Sequence, residues 1–227
     1  MPLSPFSLPA RSALAAIALV LPSTALAQSA GTPAPGEGVV IRIEPGYTRW
    51  NLDADRIQRQ SGIPADDVRS ALVEQTPNAP GVSLVLGYNI KGHASISAAV
   101  SGTGWDLEGK QRGGAGLAAL ELAWFPAQLV PKLAQRRWDV SFFGGAGYGV
   151  VGEKRAMDGL HYQVGARAEA YLTRWLSIGG AVRYSAFQFD RYVVNWDENV
   201  QVALPEKSGG GMWFPSFTLA IHAPVGG

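Results

Sequence analysis

From about Val39 to the end, the chain is built of stretches in which apolar side chains alternate with small or polar ones. Period two is the signature of a β-strand with two unlike faces. The stretches cover Val39 to Trp50, Val82 to Asn89, Ala94 to Thr103, Ala115 to Phe125, Trp138 to Val151, Leu160 to Leu172, Trp175 to Phe189 and Met212 to His222. In the sixth, Leu160, Tyr162, Val164, Ala166, Ala168, Ala170 and Leu172 share one face. The other carries His161, Gln163, Gly165, Arg167, Glu169 and Tyr171. The seventh sets Leu176, Ile178, Val182 and Tyr184 against Ser177, Gly179, Arg183 and Ser185, and the first sets Val39, Ile41 and Ile43 against Arg42 and Glu44.

The connectors alternate in length. Asp53 to Pro80, Trp105 to Gly114, Gly152 to Gly159 and Asp190 to Gly211 are long or polar, while Asn89 to His93 and Thr173-Arg174 are tight. Pro126 to Arg137 is a longer turn on the short side. Long loops at one end, short turns at the other and an even strand count are the plan of a bacterial outer-membrane barrel. The fold class expected is therefore all-β: a single eight-stranded antiparallel transmembrane β-barrel with a short helical insertion in the first outer loop. That insertion is Asp53 to Thr76, read as two helical pieces broken at Gly62.

Which face meets lipid follows from charge. An Arg or Lys on the lipid face at mid-depth costs about 2–4 kcal/mol. Arg42, Glu44, Glu121, Asp139, Arg167, Glu169 and Arg183 are therefore expected to form a polar network in the lumen, which small Gly, Ala and Ser neighbours leave narrow and filled. Tryptophans cluster at strand ends: Trp124, Trp138 and Trp175 at the periplasmic side, Trp50, Trp105 and Trp213 at the outer side. All six are expected as aromatic anchors at the bilayer interfaces.

The first 27 residues read as a cleaved secretory signal. Arg11 precedes the apolar run Ala13 to Leu21, and Ala25-Leu26-Ala27 is a small-residue cleavage site. Residues 28–38 are a flexible lead-in, and 39–227 form the barrel domain. Arg11 is one of 19 basic residues, so the mature chain balances its 18 acidic ones, which gives no argument for nucleic acid. No cysteine is present, so disulfides and thiolate metal sites are excluded. The three histidines share no ligand spacing, and neither a metal nor another cofactor is expected.

The run Tyr171-Leu172-Thr173-Arg174-Trp175-Leu176-Ser177-Ile178-Gly179, within Tyr162 to Tyr184, resembles the strand–tight turn–strand unit of OmpA/OmpX-like eight-stranded outer-membrane proteins. The resemblance implies export and insertion by the outer-membrane assembly machinery. In one respect the chain departs from it. Phe217, Leu219 and Ile221 alternate as expected, but His222-Ala223-Pro224-Val225-Gly226-Gly227 replaces the usual terminal aromatic.

The expected function is that of a non-enzymatic, monomeric outer-membrane protein. It would contact membrane lipid and lipopolysaccharide, and bind a surface ligand through Asp53 to Pro80 and Asp190 to Gly211. The alternatives are a lipid-modifying enzyme of the lipid A deacylase type, a narrow pore, and a soluble periplasmic carrier of a hydrophobic ligand. For the enzyme, His93 and Ser95 stand two apart on one strand face, as a base and a nucleophile would. His93, however, falls at a periplasmic turn, and no carboxylate is placed beside the pair. Gly113-Gly114-Ala115-Gly116 and Gly144-Gly145-Ala146-Gly147 lack the Lys-Ser/Thr and helix of a phosphate loop, and strand packing explains them better.

Overall fold

The computed structural model describes residues 37–52, 54–62, 78–107, 111–130, 137–152, 155–195 and 200–224. Eight strands form one closed antiparallel barrel in sequence order: β1 (Gly38–Asn51), β2 (Asn78–Ile90), β3 (Ala94–Leu107), β4 (Gln111–Trp124), β5 (Trp138–Gly152), β6 (Ala156–Thr173), β7 (Leu176–Asn195) and β8 (Val200–Pro224). The β1–β8 pairing, Gly38↔Pro224 to Asn51↔Gly211, closes the wall and removes the sheet's free edges. No helix among the described residues is long and apolar enough to cross a membrane.

Turn chemistry sets the register. Lys91 and Gly92 both have positive φ (49° and 73°), and the His93 N–H donates to the Ile90 carbonyl at 3.1 Å. That mirror-image turn matches the twist of the strands it joins. On the same side, the Trp175 N–H donates to the Thr173 hydroxyl (3.3 Å) and a bulge lies between Tyr171 and Thr173. A single 3₁₀ turn, Pro126–Leu129, follows β4.

Two expectations change at the outer end. The segment Asp190 to Gly211, expected as a loop, is largely strand. β7 runs on to Asn195 and β8 begins at Val200, with Arg191↔Ala203 and Val193↔Gln201 in register. Alternation did not reveal it because Val200, Gln201, Val202 and Ala203 are all exposed, so that stretch of β8 has no dry face to encode. Arg191 of β7 ties the hairpin to the neighbouring wall, donating to Asp158 on β6 (3.1 and 3.0 Å) and to the Tyr148 hydroxyl on β5. The segment Gly152 to Gly159 likewise contributes strand from Ala156 onward.

Of the two expected helical pieces, the first is α1 (Ala54–Ser61). Gly62, at φ +68°, ends it: its N–H donates to the Gln58 carbonyl at 3.0 Å, a left-handed helix end that glycine accepts without strain. The second piece lies outside the described residues.

Candidate functional site

The lumen is built by the inward face of every strand. Arg42 and Glu44 come from β1, Glu121 from β4, Asp139 from β5, Arg167 and Glu169 from β6, and Arg183 from β7, and all seven are buried. Arg42 holds Glu169 at two points (Nε–Oε1 2.7 Å, Nη2–Oε2 3.4 Å). Arg167 donates to Glu44 (Nε–Oε1 2.8 Å). Arg183 spans two carboxylates, Glu44 at 3.1 Å and Glu121 at 2.8 Å. Gln163, absent from the expected network, donates to the same Glu121 oxygen at 2.7 Å. The guanidinium groups of Arg167 and Arg183 lie 4.7 and 5.3 Å from the centre of the Phe143 ring. Asp139 accepts the N–H of Val140 at 2.8 Å.

Charges sealed from water must be matched and hydrogen-bonded, or the protein loses several kcal/mol per ion. Three arginines meet three glutamates here, and in every pair the two partners come from different strands. The bonds tie β1 to β6 and β7, and β7 to β4, through the middle of the barrel. Chemically this arrangement braces opposite walls and obstructs the bore.

Above that layer the lumen turns apolar. Trp50, Leu117, Val151, Met157, Phe187, Phe189, Tyr192, Leu204, Met212 and Phe214 pack together, and α1 inserts Ile57 among them. Phe187 stacks on Phe189 (ring centres 5.5 Å apart) and lies 5.6 Å from Trp50. Sequence reasoning missed this plug, although the parity that turns Arg183 inward also turns Phe187 and Phe189 inward. Below the charged layer, Ala123, Phe125 and Phe143 form a smaller apolar cluster.

Trp50 requires a correction. Expected as an outer anchor, it is only 6% exposed and belongs to the plug, because it shares the inward parity of Arg42 and Glu44 along β1. Trp124, Trp175 and Trp213 are about half exposed on the outward face, and Trp138 is partly buried. The side chain of Trp105 lies outside the described residues.

A hydroxyl–imidazole pair occurs where it was not expected: Ser177 Oγ lies 2.9 Å from His222 Nε2. Both are buried (0% and 2% exposed) at the end of the barrel that carries the tight β6–β7 turn, beside Tyr171, so the pair is closed to a substrate. His93 and Ser95 do not form such a pair, since His93 is exposed in the turn and Ser95 is buried in the lumen. No group of His, Asp and Glu among the described residues could hold a metal ion.

The outward face is the reverse of a water-soluble surface. Leu120 and Leu122 are each 67% exposed, Val100 and Val164 60%. Between Tyr47 and Val39 on β1, Tyr184 and Leu176 on β7, and Trp213 and Ala223 on β8, the outward positions carry no charge. Arg49, Lys91 and Arg174 lie outside these limits and are exposed. An uncharged belt edged by aromatic residues is what a bilayer selects.

No protein-family model matches the chain, and neither does any curated protein. Solved structures do. Neisserial surface protein A superposes with a TM-score of 0.55 at 7% identity, over 82% of this chain and 97% of that one. The fold is that of an eight-stranded outer-membrane barrel. Two further barrels are more distant: AlkL, solved in lipid bilayers (TM-score 0.47, 14% identity, 91% and 99% covered), and Ail of Yersinia pestis (0.45, 12%, 82% and 99%).

Proposed function

We propose that this chain is an integral outer-membrane protein with a closed lumen and no catalytic activity, serving envelope structure and surface interaction. One observation carries the reading: luminal Glu44 is 0% exposed while Leu120, on the outward face, is 67% exposed. That polarity suits acyl chains outside and a braced interior within, and it argues against a soluble carrier, which would wet its charges. The interdigitated ion pairs and the Ile57 plug argue against an open pore. In this reading lipid and lipopolysaccharide surround the belt. The β7–β8 hairpin, with Arg191, Val200, Gln201, Val202 and Lys207 exposed, is the surface offered to a ligand. Residues 1–27 act as the export signal, and Gln28 begins the mature chain.

Membrane fractionation followed by gels of heated and unheated samples tests this reading. A heat-shifted band in the outer-membrane fraction, with an N-terminus at Gln28, is the expected result. Recovery of the chain in the soluble periplasm would refute it, and conductance steps in planar bilayers would refute the closed lumen.

A further inference from the structure

The wall is continuous at seven of its eight seams, apart from register shifts in the β6–β7 and β7–β8 pairs. The β1–β8 seam is interrupted. Its register runs from Gly38↔Pro224 to Ile43↔Leu219, keeps only Gly46↔Ser216, and resumes at Arg49↔Trp213. Continuing that register sets Pro45 opposite Phe217 and Pro215 opposite Tyr47. In an antiparallel ladder each residue directs its N–H and C=O to one neighbour, alternately left and right. The β1–β2 ladder is unbroken past Pro45, and the β7–β8 ladder is unbroken past Pro215. Both prolines therefore place their missing donors on the same seam, two positions apart. Between them Gly46 comes so close to β8 that a Cβ there would lie 2.3 Å from the Pro215 carbonyl oxygen.

That seam joins the two ends of the sheet, so it spans the largest sequence separation and bears the largest loop-closure entropy. Until it forms, β1 and β8 are bare edges. Each is also strongly β-prone: Val39-Val40-Ile41-Arg42-Ile43 on β1 and Phe217-Thr218-Leu219-Ala220-Ile221 on β8. Proline with its missing donor turned outward is a known means of blunting such an edge.

We propose that Pro45 and Pro215 are a matched pair that disarms the two edges of the open sheet, so that the last seam forms within one chain and not between chains. Completed, the barrel keeps a wall that lacks two ladder hydrogen bonds at this point. The same residues thus weaken the folded seam and protect the route to it.

The test refolds the full mature chain from urea into phosphatidylcholine vesicles over a hundredfold range of protein concentration. Native protein is compared with Pro45→Val, Pro215→Val, the double variant and Pro80→Val. Pro80 is a strand proline beside the β2–β3 pairing, which begins at Gly81↔Thr103, and is not on the closing seam. At high concentration the double variant should yield at least threefold less folded monomer, with the loss disappearing on dilution. The fraction that folds should unfold about tenfold more slowly, because two donors are restored. Pro80→Val should show no concentration-dependent loss. Yields equal to native at every concentration would overturn the proposal, as would a loss that persists on dilution, faster unfolding of the double variant, or an equal loss in Pro80→Val.

Discussion

Arg42 and Glu169 lie 127 positions apart in the chain and meet as a two-point ion pair inside the barrel, Nε to Oε1 at 2.7 Å. Arg42 projects from the first strand and Glu169 from the sixth, so the pair joins two walls that share no ladder. Glu44, two residues along β1, does the same toward Arg167 and Arg183.

Glu44 is the acceptor on which two arginines converge. Glu44→Gln should destabilise the barrel by about 3–5 kcal/mol, because it leaves two buried guanidiniums under-neutralised. Urea unfolding in vesicles, followed by tryptophan fluorescence, measures it. Adding Arg183→Leu to Glu44→Gln should recover part of the loss, since it removes one uncompensated cation.

The belt gives an opposite test. Leu120→Arg places a charge on an outward position far from either rim, and should cost about 2–4 kcal/mol in vesicle-bound stability. A soluble barrel would accept that substitution with little change.

Among the described side chains of α1, Ile57 is the one that packs into the apolar plug. An eight-residue helix is marginal alone. Ile57→Ala should loosen the helix while the wall stays folded. Trypsin cleavage at Arg56 or Arg59 should accelerate several-fold, with the heat-shifted gel band unchanged.

The Arg191–Asp158 pair joins the β7–β8 hairpin to β6 with its arginine side half exposed, where an ion pair is worth at most about 1 kcal/mol. Arg191→Ala should raise hydrogen exchange in 191–203 and leave the global unfolding midpoint nearly unchanged.

The sequence made the wall legible because lipid and lumen impose opposite demands on alternate residues. Leu160, Tyr162 and Val164 could be told from His161, Gln163 and Arg167 by parity alone. Where that contrast fades, the reading faded too. Trp50 and Phe187 are apolar yet inward, so composition could not distinguish them from belt residues, although parity could. The Val200–Ala203 segment is wet on both faces and has no alternation to read. The pairing of each luminal charge was also hidden, because it depends on register and shear and not on which face a residue occupies. The prolines were visible in the sequence, but that Pro45 and Pro215 address the same seam follows only from the ladder.

The alternation of lipid and lumen along one strand is the claim on which the rest depends. The native chain contains no cysteine, so single cysteines can be placed along β4 from Ala118 to Ala123 and spin-labelled in vesicles. Labels at 118, 120 and 122 should collide freely with lipid-dissolved oxygen and be shielded from a water-soluble nickel chelate, while 119, 121 and 123 should be immobile and shielded from oxygen. Nickel accessibility at 120 and 122 equal to that of an exposed loop would contradict the account.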